Sequence, residues 1–166
     1  MKKIGIFYGT TTGNTAEVAS EIAKALNVKN EDVKDVAKTA PSAVGDYDVL
    51  ILGTSTWGAG DMQGDMAEFM DGLEMVDLRG KDVAFFGLGD EQMTETFCNA
   101  VGEMYHKLHN TGANFIGKYN VDGLEFKHSD AMVGDLAVGL LVDNVNHPEI
   151  TSHRINKWCE LISKEI

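Results

Sequence analysis

Two runs of the chain, DVLILGT at residues 48–54 and DVAFFGL at residues 82–88, are apolar at nearly every consecutive position. A strand with one face in water alternates polar and apolar residues, whereas a strand covered on both faces reads as an unbroken apolar run. The segments around them carry helical spacing instead. Residues 14–26 place Val18, Ile22 and Leu26 four apart, with Ala19 and Ala23 beside them; residues 65–73 align Met66, Phe69, Met70 and Leu73. Residues 94–109 put Phe97, Val101, Met104 and Leu108 in register, and residues 152–165 do the same with Ile155, Trp158, Cys159 and Ile162. Residues 3–8, a weaker run at 32–36, and residues 114–121 and 136–143 complete the strand candidates. Buried strands alternating with amphipathic helices predict an α/β protein, a parallel sheet covered on both faces in three α/β/α layers. No repeat, low-complexity tract or boundary interrupts residues 1–166, so one domain is expected.

Composition narrows the function classes. Of 166 residues 43% are hydrophobic and only 2 are proline, which predicts a folded core. The net charge of −12 argues against nucleic acid, whose phosphates need basic patches. Between Lys38 and Lys107 the only bases are Arg79 and Lys81, while half of the chain's 26 acids fall there. That asymmetry reads either as a solvated face or as a docking face for basic partners. No apolar stretch is long enough to span a bilayer, and the apolar start ends too soon, at TTTGNT, for a signal peptide. Cys98 and Cys159 form no Cys-x-x-Cys motif, and the histidines suggest no metal site. A cytoplasmic, monomeric protein is expected.

Three loops leave the strong strands at one edge of the sheet: residues 9–15, 55–63 and 89–93, all rich in glycine and small polar residues. Ligands of such sheets bind beyond the carboxyl ends of the strands. The first loop, GTTTGNT, crowds Thr10, Thr11, Thr12 and Thr15 around Gly13 and Asn14 at a helix start, with no lysine or arginine. A helix start presents unpaired N–H groups and the positive end of its dipole, and it binds anions without a cation. Thr12 could instead be a plain N-cap, but an N-cap needs one hydroxyl, not four. Phosphate binding is the favoured reading, and the Gly-Lys-Ser/Thr ending of a Walker loop is missing.

These motifs resemble the flavodoxin family. The T-x-T-G-N-T run is similar to its phosphate loop; STWGAGDMQGD, residues 55–65, resembles its second flavin loop; GLGD, residues 87–90, resembles its third. VGLLVD followed by a helix with Trp158 resembles the family's carboxyl end, and residues 120–137 match the extra loop that splits the last strand in the long-chain branch. The resemblance covers essentially the whole chain. It implies a five-stranded parallel sheet of order 2-1-3-4-5 with a split last strand. It also implies FMN held non-covalently, and one-electron transfer at low potential through quinone, neutral semiquinone and hydroquinone states, not enzymatic turnover. The implied partners are basic-faced redox proteins such as a ferredoxin/flavodoxin NADP reductase or an oxo-acid oxidoreductase.

The resemblance also assigns residues. Thr10, Thr11, Thr12, Gly13, Asn14 and Thr15 would hold the FMN phosphate, and Trp57 would stack on the ring, within a loop completed by Ser55, Thr56, Gly58, Ala59 and Gly60. The peptide after Trp57, between Gly58 and Ala59, would flip on reduction. Leu88, Gly89 and Asp90 would meet the pyrimidine edge, although Asp90 also reads as a turn or capping residue. Most of the family stacks a tyrosine on the outer face; here alignment puts Met93 in that slot. Asp61, Asp65, Asp90 and Glu91 would stand around the ring, and Asp61, Asp65, Glu68 and Asp71 would steer a partner. Two other readings carry less support. An FMN-dependent quinone or flavin reductase would need substrate room above the ring, and a phosphoacceptor domain would need paired acids after the first strand.

Overall fold

The computed structural model describes residues 2–166. Five strands run parallel: β1 (Ile4–Tyr8), β2 (Val33–Asp35), β3 (Val49–Trp57), β5 (Asp82–Leu88) and a last position shared by β6 (Asn114–Phe115) and β9 (Leu140–Val142). Their order is β2-β1-β3-β5-β6, with β9 continuing beside β5 where β6 ends. This is the 2-1-3-4-5 arrangement with its last strand split. A short β4 (Asp61–Met62) folds back antiparallel on the end of β3.

Helices α1 (Asn14–Leu26) and α4 (Pro148–Glu165) cover one face; α2 (Gly64–Leu73) and α3 (Asn99–Lys107) cover the other. The apolar runs explain the layering, because successive side chains leave opposite faces of a strand. Phe85 packs on the α2/α3 side and Phe86 on the α1/α4 side; Leu50 and Ile51 divide in the same way. All four are fully buried, and each contributes about 1.5–3 kcal/mol relative to exposure. Phe86 lies across Gly53, where an added Cβ would sit 1.9 Å from the ring. Trp158, also fully buried, donates its indole N–H to the Gly117 carbonyl at 2.9 Å.

The predicted elements differ from the observed ones at their ends: β3 runs on to Trp57, through residues expected in the second loop, and α4 starts at Pro148 instead of residue 152. The helix expected over residues 94–109 begins at Asn99, because Cys98 takes a left-handed conformation (φ 51°) and residues 90–98 form successive turns. The strands expected over 114–121 and 136–143 shrink to β6 and β9. The chain between them leaves the sheet and forms a separate hairpin of β7 (Met132–Val133) and β8 (Leu136–Ala137). That excursion departs and returns at a single bridge, where Tyr119 and Ala137 exchange N–H to carbonyl bonds of 3.0 and 2.8 Å. Buried Arg154 of α4 ties down its base, donating to the carbonyls of Leu141, Asn120 and Asp122.

Candidate functional site

The sheet order reverses between β1 and β3, which places the loops after those strands side by side at the carboxyl edge. A cleft of about 420 Å³ opens there. Thr11, Thr12, Asn14 and Thr15 line it from the first loop, Ser55, Thr56, Trp57 and Gly58 from the second, and Leu88, Gly89, Asp90 and Met93 from the third. Four predicted residues do not reach the lining. The Thr10 hydroxyl instead accepts the Gly13 N–H at 3.0 Å, and Gly13 turns the chain at φ 93°. Ala59 and Gly60 form the tip between β3 and β4, closed by the Gly60 N–H on the Trp57 carbonyl at 3.1 Å.

The α1 start is bare. Its N-cap is Gly13, with no side-chain capping bond, so the plain N-cap reading of Thr12 is set aside. The first helical bond runs from the Glu17 N–H to the Gly13 carbonyl at 3.0 Å, which leaves the N–H groups of Asn14, Thr15 and Ala16 ahead of it. No lysine, arginine or histidine lines the cleft. Ser55 lines the same cleft, and its Oγ is the one buried side-chain polar atom without a partner among the described residues.

Large apolar side chains stand at the cleft and stay open to solvent: Trp57 is 43% exposed, Met93 45% and Val145 68%. Buried apolar groups are the rule in a core this well packed, so three such residues from three loops mark a surface shaped for a flat apolar ligand. Gly58, next to Trp57, has φ 52°, a conformation glycine adopts without the Cβ penalty.

The acids are placed unevenly. Asp90 is the only one lining the cleft. Its Oδ1 accepts the Gln92 N–H at 2.9 Å and the Asn146 side-chain amide at 2.8 Å, so its carboxylate also caps the third loop. Asp61 pairs with Trp57 across β3 and β4. Asp65 accepts from Gln63, while Asp71 sits on the Lys107 ammonium at 2.5 Å. Glu91 bonds His147 and the Glu125 N–H and does not line the cleft.

Sequence reasoning missed several residues that build the walls. Thr96, Phe97, Asn144 and Val145 complete the lining. Gln63, only 3% exposed, accepts the Met66 N–H at the start of α2 and donates to the Thr10 carbonyl and Thr11 Oγ1 at 3.3 Å, which fastens the second loop to the first. Asp143, 1% exposed, accepts N–H groups from Glu91, Val145 and Asn146 and the Asn146 amide, each within 2.9 Å. Burial alone would raise its pKa, but these donors together hold the carboxyl below the usual 3.8. A buried Asp at the end of β9 was the available signal, and only the tertiary fold shows what it gathers.

Fold and cleft together define a doubly wound α/β protein whose switch point sets a bare helix start beside an exposed indole. The flavodoxin family model matches residues 6–158, and the chain belongs to that family. It is 40% identical to flavodoxin 1 of Escherichia coli over 98% of this chain and 93% of the relative, and 36% identical to the flavodoxin of Haemophilus influenzae over 100% and 97%. The crystal structure of Fusobacterium nucleatum flavodoxin bound to flavin mononucleotide superposes with a TM-score of 0.91, at 30% identity, covering 100% of this chain and 99% of that one.

Proposed function

We propose that this chain binds FMN non-covalently in the cleft and serves as a low-potential one-electron carrier between redox proteins. The observation that carries the reading is the bare α1 start sharing one cleft with exposed Trp57 and Met93 and with no cation. FMN, when bound, supplies a ring that takes up and returns electrons singly.

The N–H groups of Asn14, Thr15 and Ala16, with the hydroxyls of Thr12 and Thr15, hold the phosphate. Ser55 Oγ, otherwise unpartnered, would be free to give a hydrogen bond to the bound group. Trp57 would stack on one ring face, Met93 would rest against the other, and the backbone of Gly89 and Asp90 would meet the pyrimidine edge. A carboxylate about 10 Å from the ring opposes added negative charge by roughly 0.4–1.7 kcal/mol for effective dielectrics of about 80 to 20. Asp90 lies nearest among the acids, and the unpaired phosphate charge acts in the same direction.

The long segment between β6 and β9 supports placing the chain in the long-chain branch. The shared sheet supports a single domain, and the acid excess supports basic-faced redox partners for a cytoplasmic monomer. No helix among the described residues is long and apolar enough to cross a membrane. Stepwise anaerobic reduction of the FMN-loaded protein, followed by visible spectroscopy, tests the carrier reading. One flavin per chain reduced in two separate one-electron stages is expected; no FMN uptake, or steady NAD(P)H oxidation with a quinone by the purified protein alone, overturns it. Partner steering is checked by electron transfer to a reductase, which should slow as salt shortens the Debye length to about 10 Å.

A further inference from the structure

The segment between β6 and β9 lies against the third loop and bonds it at Glu91 and Thr94. The Glu91 side chain, 13% exposed, accepts the Glu125 N–H through Oε2 at 2.7 Å and meets His147 Nε2 through Oε1 at 2.5 Å. Its own N–H is donated to Asp143 Oδ2 at 2.9 Å. One residue therefore joins the inserted segment, the end of β9 and the start of α4. Close by, Thr94 accepts the N–H groups of Lys127 and His128, and Phe97 of the cleft stacks on Phe126 with ring centroids 4.8 Å apart.

We propose that Glu91 is a positioning residue through which the inserted segment and His147 set the shape of the cleft wall formed by residues 90–97. The inference rests on the cleft being an FMN site. Among residues 90–97 the backbone-to-backbone bonds are isolated turns, Met93 N–H to Asp90 and Thr96 N–H to Met93, and the remaining bonds run to side chains or to the inserted segment, so the sheet does not dictate their path. A wall ordered in advance spares the ligand the cost of ordering it. Glu91 is the point at which the inserted segment and the β9–α4 connection both reach that wall.

The pair also gives the wall a pH signature. Glu91 faces His147 from the third loop, and Glu149 reaches the other ring nitrogen from α4 at 3.5 Å. Around Glu91 stand His147, the backbone of Glu125, Asp143 through its bond to the Glu91 N–H, and Asp90 next in sequence. The hydrogen bond to Glu91, ahead of Glu149, lifts His147 above its usual 6.5. A raised histidine pKa means the charged pair is fully present below that usual value and is lost as pH rises through the raised one.

The test is FMN titration of the apoprotein by fluorescence quenching, from about pH 6 to about pH 9, for wild type, Glu91→Gln, His147→Gln and the double variant. The phosphate's own ionisation, near about pH 6, is common to all four. Each single variant should bind FMN about threefold to tenfold more weakly at the acid end and lose the decline in affinity that wild type shows with rising pH. The double variant should be no weaker than the weaker single one. Amide exchange in the apoprotein should quicken at Glu125 and residues 93–97 in Glu91→Gln. Wild-type affinity and pH slope in the variants, or lost thermal stability with affinity and slope unchanged, overturns the proposal. If wild type takes up no FMN, the cofactor reading fails on its own, and unaltered exchange in Glu91→Gln still rejects the positioning role.

Discussion

The loops at residues 10–15 and 90–97 border the same cleft, yet they dispose of their polar groups in opposite ways. Among the described residues, the side chains of Thr12, Asn14 and Thr15 make no hydrogen bond, and the three N–H groups at the α1 start precede the first helical bond. In the third loop, Asp90, Glu91 and Thr94 are engaged with Asn146, His147, Asp143 and the inserted segment. The first loop offers unmet hydrogen-bonding capacity, which a ligand can satisfy. The third offers shape, because the side chains of Asp90, Glu91 and Thr94 are already bonded within the protein. Affinity for a charged group and fit around a flat one are therefore built by different parts of the chain and can be altered separately.

The largest separation should come from Asp143→Asn. It sets an amide against donors that a carboxylate accepts, and it should destabilise the apoprotein by about 3 kcal/mol in denaturant unfolding. The depressed pKa of Asp143 gives stability that is present above the usual carboxylate range and lost as pH falls through the lower folded value. Acid unfolding of wild type, and its flattening in the variant, checks this sign. Next, Thr15→Val should weaken FMN binding by about 1.5–3 kcal/mol and leave riboflavin binding nearly unchanged, since riboflavin lacks the phosphate. Equal losses for both ligands would mean that the first loop holds the ring as well.

Gly58→Val places a β-branched residue at φ 52°, a conformation that costs about 1–2 kcal/mol without glycine. An added Cβ there meets only Asp61, at 3.9 Å, so the backbone and not crowding carries the effect. The first reduction step should shift to lower potential and the half-reduced form should become less populated; an unchanged spectroscopic titration removes the Gly58–Ala59 peptide from the account. The smallest change is Met93→Tyr. A second aromatic face should tighten FMN by about 0.5–1.5 kcal/mol beyond its added area. Unchanged or weaker affinity would show that the 93 side chain does not cover the ring.

What could be read from the chain divides along the same line. The runs at 48–54 and 82–88 announced their strands because burial on two faces leaves a composition that local sequence records. The placement of the hydroxyl cluster and Trp57 at the cleft was legible because an exposed loop there keeps residues that the core would not need. Gln63, Asp143, Asn146 and Arg154 were not legible, since each bonds partners contributed by another loop, strand or helix and carries no periodic mark. The overlong helix over 94–109 shows the limit of spacing alone. Phe97 keeps the register of Val101 and Met104, but the left-handed turn at Cys98 separates it from α3. The β7–β8 hairpin had a local sign in Val133-Gly134-Asp135-Leu136, where Gly134 has φ 67°.

The bridge between Tyr119 and Ala137 makes the excursion they enclose a graft with its wound already closed. Both ends are tied to one another by paired backbone bonds before the segment begins. The sheet consequently feels the same anchor whether many residues or a tight turn lie between them, and loop closure grows only slowly with length. A lineage, or an engineer, could lengthen, trim or replace that segment without re-registering a single strand. The third loop, which touches the graft through Glu91 and Thr94 and the cleft through Met93 and Phe97, would notice the exchange first.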